Sequence, residues 1–156
     1  MTRKNDLFFM NLALAQAREA AARDEVPIGA VLVDSSSGEI IAAHGNRTLE
    51  LCDPSAHAEM LVIREGCRRA GAQRIPECDL YVTLEPCAQC AGVISFARIR
   101  RLVYGAPDPK GGGVEHGPRF FSQPTCHHRP EVAGGARAEE CGQILKNFFA
   151  GKRKNR

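Results

Sequence analysis

Two short runs, Asp79–Leu84 and Arg101–Gly105, flank a segment of helical character, and this strand–helix–strand order constrains the fold more than anything else in the chain. Both runs carry the β-branched and aromatic residues that suit a pleated, half-buried surface. Between them, Pro86 fits the first turn of a helix because it has no amide hydrogen to lose. That helix is expected over Cys87–Ala97. Strands joined in this way lie parallel in one sheet, with a right-handed crossover between them.

The remaining segments extend this unit. Leu7, Met10, Leu14, Ala17 and Ala21 recur at three- and four-residue intervals, which predicts one apolar helix face over Asp6–Ala22. Asp6 stands where an N-cap carboxylate would accept free amide bonds, and Pro27 ends the pattern. Gly29–Asp34 and Glu39–His44, joined by Ser35-Ser36-Ser37-Gly38, read as a hairpin. A loop holding Asn46, Asp53 and Pro54 leads to a helix expected over Ala56–Ala70, with Gly71 as its stop. From Ala106 to Arg129 the chain is rich in Gly, Pro and His, and so long a loop in a compact domain is usually functional or an oligomer contact. A short strand at Glu131–Ala133 and a last helix marked by Ala138, Cys141, Leu145, Phe148 and Phe149 complete a three-layer α/β domain over 1–156.

With 156 residues the chain buries a real core unaided. Apolar residues at 44% and charged residues at 25% exclude a disordered chain, and no run is long enough for a membrane span. The apolar stretch Leu7–Met10 is too short for a secretory signal, so a cytoplasmic protein is expected. Seven scattered cysteines are an odd count for a disulfide framework. Only Cys87 and Cys90 form a close pair, and the other five read as packed thiols. The net charge of +3 is mild, and the basic end Lys152-Arg153-Lys154-Asn155-Arg156 reads as a solvated tail.

The chemistry concentrates in Pro54-Ser55-Ala56-His57-Ala58-Glu59 and Thr83-Leu84-Glu85-Pro86-Cys87-Ala88-Gln89-Cys90. Cysteines three apart in a first helical turn can face one ion, and His57 from a neighbouring helix can join them. Three protein ligands leave a fourth position for water, the mark of a catalytic zinc. Glu59 is then more useful as a proton carrier than as a ligand. Taken singly, a Cys-x-x-Cys pair could equally be a redox couple or half of a structural zinc site. The combination of His-x-Glu with Pro-Cys-x-x-Cys is far more specific, and is a known deaminase signature.

At these residues the chain resembles the cytidine deaminase-like superfamily and, more closely, the bacterial tRNA-specific adenosine deaminases. The likeness runs through Glu25–Val31, Gly45-Asn46-Arg47, Asp53–Glu59, Thr83–Gly92, Arg98–Ala106 with Asp108, and ends in Glu139-Glu140-Cys141 and Phe148-Phe149. It implies a three-layer α/β/α fold with a central mixed five-stranded sheet, one Zn2+ per subunit, a homodimer, and conversion of adenosine to inosine at the wobble position of a tRNA anticodon stem-loop. It further implies that Asn46 bonds the edge of the flipped base, that Ile28 and Leu84 line the pocket, that Asp108 contacts a neighbouring ribose, and that Phe149 packs near adjacent nucleotides. A base taken out of its stack is recognised in this way, by hydrogen bonds and apolar walls.

The chain departs from the family at Gln89, where many relatives carry methionine, and over Lys110–Arg129, with Gly111-Gly112-Gly113 and Cys126-His127-His128. The last cluster raises a second metal site as an alternative to loop packing or tRNA contact. Two other functions stay open at this stage. One is deamination of a free base or nucleoside such as guanine or cytosine. The other is a non-catalytic, zinc-stabilised RNA-binding module.

Overall fold

A computed structural model describes residues 3–154. Its sheet has the order β2-β1-β3-β4-β5, formed by Gly29–Asp34 (β1), Ile40–Gly45 (β2), Cys78–Leu84 (β3), Arg101–Ala106 (β4) and Glu131–Gly134 (β5). The strand β1 runs antiparallel to both β2 and β3, while β3, β4 and β5 are mutually parallel. The expected mixed five-stranded sheet and the parallel pairing of β3 with β4 are therefore present.

Alternation along the central strands sorts their side chains into two cores. Leu32, Leu80, Val82 and Leu102 face a cluster completed by Val62 and Ile63 of α2 (Ala58–Ala70) and by Ala91 and Ile94 of α3 (Ala88–Phe96). Val31, Val33, Tyr81 and Val103 face the other cluster, with Phe9, Met10 and Leu14 of α1 (Asp6–Ala22) and Cys141 of α4 (Ala138–Lys154). Two apolar faces on one sheet demand a helical layer on each side, which gives the α/β/α sandwich. Each fully buried aliphatic side chain contributes roughly 1.5–3 kcal/mol of burial free energy.

Helix α1 lies very close to the sheet. A Cβ on Gly29 would fall 1.9 Å from the carbonyl oxygen of Ala13, so only glycine lets the two backbones approach. The buried face of α1 is Asp6, Phe9, Met10, Ala13, Leu14, Ala17 and Ala20. This corrects the expected stripe at both ends: Leu7 is 43% exposed and Ala21 lies at the edge of the face. Phe9, stacked on Tyr81 with centroids 5.0 Å apart, takes the position that periodicity assigned to Leu7.

Asp6 is not the cap. Asn5 occupies that position, and the Asp6 carboxylate points into the protein, where it accepts from Arg101 Nη1 at 2.7 Å, Arg101 Nη2 at 2.9 Å and the Tyr81 hydroxyl at 3.2 Å. Arg101 also donates through Nε to Glu131 at 2.6 Å. Burial alone would raise the Asp6 pKa, but the Arg101 guanidinium holds it below the usual carboxylate range.

Two helices start later than expected. His57 is the N-cap of α2 and Cys87 that of α3, so Ala56 and Cys87 stand outside the helices and Pro86 precedes the cap rather than filling the first turn. Gly71 closes α2 in the left-handed conformation at φ 64°, as its position suggests. In α4 only Cys141 is fully buried, and Phe149 is 44% exposed. The basic stretch Lys152–Lys154 belongs to α4, and Lys152 pairs with Asp24, so it is helical rather than a loose tail; Asn155 and Arg156 lie outside the described residues.

Candidate metal centre and substrate cleft

The parallel strands β3 and β4 end on one side of the sheet, where open α/β folds place their ligands. Chain direction does the rest. After Leu84 the backbone turns through Glu85 and Pro86 into α3, which puts Cys87 at the helix cap and Cys90 inside the first turn. The cap of α2 brings His57 to the same place. Antiparallel pairing of Ala30 with Val82 carries Ile28, just before β1, toward Leu84 at the end of β3.

His57 Nδ1 lies 3.5 Å from Cys87 Sγ and 3.4 Å from Cys90 Sγ, and the three ligand atoms fall within 4.8 Å of one another. A tetrahedral zinc with bonds of about 2.3 Å to sulfur and about 2.05 Å to nitrogen sets such ligands about 3.6 Å apart. The donor set and its spacing therefore fit zinc. Among the described residues no other histidine, cysteine or carboxylate group assembles in this way. Cys126 and His128 are occupied elsewhere: Cys126 Sγ contacts the His128 carbonyl, and His128 Nε2 lies 2.7 Å from the Ile99 carbonyl. The suggested second metal cluster does not form.

The three groups perturb one another strongly. Cys87 is pulled down to about 4 by hydrogen bonding from Cys90, against its burial, with His57 adding to the effect. Cys90 is pushed up by the same contact and by burial, so the negative charge of the pair rests on Cys87. His57 is raised by its bond to Cys87. Both thiols sit at the N-terminus of α3, whose partial positive charge stabilises thiolates. Glu59, in the first turn of α2, is buried and pushed up to about 7, chiefly by desolvation.

A cavity of about 220 Å³ opens on this cluster, lined by Ile28, His57, Glu59, Leu84, Cys87 and Asp108 among others. A second cavity of about 510 Å³ shares Ile28, Leu84 and Asp108 with it and extends to Phe149, Lys146 and Arg153 of α4. Seven of the eight site residues named outside Asn46 thus line two cavities that share Ile28, Leu84 and Asp108, and Cys90, the buried third member of the trio, lines neither. Asn46 lines neither cavity. Its Nδ2 donates to Glu25 Oε1 and to Thr48 Oγ1, each at 3.2 Å, while its backbone amide bonds the Ile28 carbonyl.

Residue patterns alone missed two buried carboxylates. Glu25 accepts from Asn46 and from the amides of Leu49 and Glu50, which shapes the loop after β2. Glu85 accepts from the loop after β4. Burial would raise its pKa, but the amides of Asp108, Glu115 and Val114 together with His116 hold it below the usual range. The signal for Glu85 lay in plain view beside Pro86-Cys87, as a carboxylate next to a run that must be buried.

Known proteins resemble this chain over most of its length. The family described as the cytidine and deoxycytidylate deaminase zinc-binding region matches residues 3–106. A tRNA-specific adenosine deaminase of Agrobacterium fabrum is 63% identical over 145 residues, covering 93% of this chain and 94% of that protein. A solved structure from biochemical and structural studies of A-to-I editing by tRNA:A34 deaminases superposes with a TM-score of 0.86 at 63% identity, over 88% of this chain and 99% of the other. A guanine deaminase from Nitrosomonas europaea shares the fold at 20% identity, with a TM-score of 0.80 over 96% of this chain and 86% of the other.

Proposed function

The chain belongs to the zinc-binding cytidine and deoxycytidylate deaminase family and, within it, to the tRNA-specific adenosine deaminases, and from that premise we propose that it converts adenosine to inosine at the wobble position of a tRNA anticodon. The observation that carries the reading is the convergence of His57, Cys87 and Cys90 at the bottom of a cleft whose rim continues along α4.

We assign His57, Cys87 and Cys90 to the metal and Glu59 to proton transfer. A zinc held by these three residues would supply Lewis acidity and activate a water as nucleophile. The overall reaction adds water at C6 of adenine, breaks the C6–N6 bond and releases ammonia. Glu59 takes a proton from the water, gives it to a ring nitrogen, and serves the departing amine. Its dry surroundings suit this work, because a carboxyl titrating near neutrality both accepts and releases protons readily.

Ile28 and Leu84 supply apolar walls for the base. Asp108 stands where the two cavities meet and is suited to a neighbouring ribose. Phe149 offers an aromatic face to adjacent nucleotides, which replaces stacking lost in the RNA loop. Lys110, Lys146 and Arg153 on the same cavity can hold phosphates without reading sequence. From the family likeness we assign a base-edge contact to the Asn46 carbonyl oxygen, since Glu25 and Thr48 occupy its amide nitrogen, although the residue lines neither cavity. A homodimer is supported by the exposed apolar side chains of Leu49, Leu51 and Phe96, and a cytoplasmic setting by the free cysteines and the RNA substrate. No helix among the described residues is long and apolar enough to cross a membrane.

Deamination of a free base is not favoured, since the tRNA-specific relative is 63% identical whereas the guanine deaminases reach 20% and 28%. A purely structural zinc module is also disfavoured, because the trio lacks a fourth protein ligand among the described residues. The test is incubation of the purified protein with an anticodon stem-loop carrying adenosine at the wobble position, and separately with free guanine and cytosine, together with zinc analysis of the sample. Inosine in the stem-loop is expected. Ammonia from the free bases alone would overturn the assignment.

A further inference from the structure

The loop that follows β4 has almost no regular structure, yet it forms one wall of the metal cavity through Asp108 and Gly111. Its backbone needs partners, and most converge on one side chain. Glu85 is fully shielded from solvent. Its Oε1 accepts from the Asp108 amide at 3.0 Å and contacts His116 Nδ1 at 2.7 Å. Its Oε2 accepts from the amides of Val114 at 3.2 Å, Glu115 at 2.9 Å and His116 at 3.1 Å. Packing closes the remaining space, since a Cβ on Gly112 would lie 2.4 Å from Oε2.

The two ends of this arrangement meet the chemistry from different sides. Glu85 is held at the end of β3, two positions before Cys87, while the loop it gathers carries Asp108. The Asp108 carboxylate is itself turned back on the amides of Lys110 and Gly111, so its place depends on the loop backbone being fixed. Two further ties, Tyr104 to Glu115 at 2.6 Å and the Gly113 amide to the Pro86 carbonyl at 2.8 Å, leave Glu85 as the common acceptor at the centre.

We propose that Glu85 is a positioning residue for the deaminase reaction, holding the Asp108–His116 loop as a rigid wall against which the substrate nucleotide is bound. This rests on the reading that the cleft receives the target adenosine. Glu85 borders the metal cavity, but its side chain is fully shielded and turned to the loop amides, so its removal loosens binding rather than chemistry. The loss therefore falls on KM and spares kcat.

The experiment compares full-length Glu85→Gln, Glu85→Asp and His116→Ala with the parent protein. Glutamine keeps the shape but turns an amide donor toward groups that are themselves donors. Glu85→Gln is expected to raise KM for the anticodon stem-loop about tenfold and to leave kcat within about threefold, the signature of lost uniform binding. Zinc stays at the parent level, and the Gly111–His116 amides exchange faster in the RNA-free protein. Glu85→Asp keeps the charge and recovers part of the KM. His116→Ala removes one donor from a half-exposed position where folding is not at stake, and moves KM and exchange in the same direction by a smaller factor. Unchanged KM, or a loss of kcat and of zinc that accompanies the rise in KM, overturns the proposal. If the parent protein leaves the stem-loop unaltered, the functional reading fails instead, while amide exchange still reports on the clamp.

Discussion

Replacing Asp6 with alanine tests how α1 is fastened to the sheet. In the native protein Asp6 and Arg101 have side chains 1% and 2% exposed and meet through two hydrogen bonds, with the Tyr81 hydroxyl as a third donor to the carboxylate. The Asp6→Ala variant keeps the Nε bond from Arg101 to Glu131, whose side chain is 54% exposed, and loses both contacts to Asp6. Removing one member of a buried pair costs about 3–5 kcal/mol, and the surviving Glu131 contact argues for the lower end. For a chain of this length, about 3 kcal/mol lowers Tm by roughly 9 °C. The assay is thermal unfolding of both proteins at one fixed zinc concentration, so that metal binding does not shift the comparison. Asp6→Leu combined with Arg101→Met recovers most of the loss, because apolar groups of similar volume can replace an ion pair. The pH dependence has a definite sign. The folded pKa of Asp6 is depressed, so its contribution is present above the unfolded value of 3.8 and disappears as pH falls through the lower folded value. The gap between the proteins is therefore constant near neutrality and narrows in acid. A shift under about 3 °C, which corresponds to about 1 kcal/mol, would refute the reasoning, as would a double variant no more stable than the single one.

Two other outcomes follow from the same geometry. Glu59→Gln keeps the parent zinc content but lowers kcat by about 10²–10⁴, the usual contribution of a proton-transfer group, as measured by inosine formation and metal analysis on one sample. Gly29→Ala forces a methyl group onto the Ala13 carbonyl and separates α1 from β1, so urea unfolding is expected to show a loss of about 1–3 kcal/mol.

The metal centre was legible because its members obey local spacing. Cys87 caps the helix that holds Cys90 three positions on, and His57 caps the helix that carries Glu59, so each pair is set locally, while the sheet brings the two caps together. The parallel β3–β4 pair was legible for a similar reason. Contacts set by distant partners were not. Asp6 has the chemistry of a cap, and only the arrival of Arg101 beneath α1 decides that it turns inward. Periodicity locates an apolar stripe but not its phase, so Leu7 was placed inside where Phe9 stands. Glu25 and Glu85 look like surface carboxylates until the loops that surround them are seen. The Asn46 amide likewise has a local partner in Thr48, but its other tie, to Glu25, crosses 21 residues.

The division of the cleft between early and late parts of the chain has a consequence for how such a protein can change. The three candidate ligands and Glu59 are in place by Cys90, and the match to the zinc-binding-region family ends at Ala106, although the tRNA-specific relative stays alike over 93% of the chain. Asp108, Lys110, Lys146 and Phe149, which form the outer half of the cleft, all come later. Insertions or replacements in that later portion can redirect the choice of nucleotide while the deaminating apparatus is inherited intact. On the proposed reading the outer rim of the cleft is added after the end of β4 to walls already supplied by Ile28 and Leu84, and Glu85 is the stitch that joins the two parts.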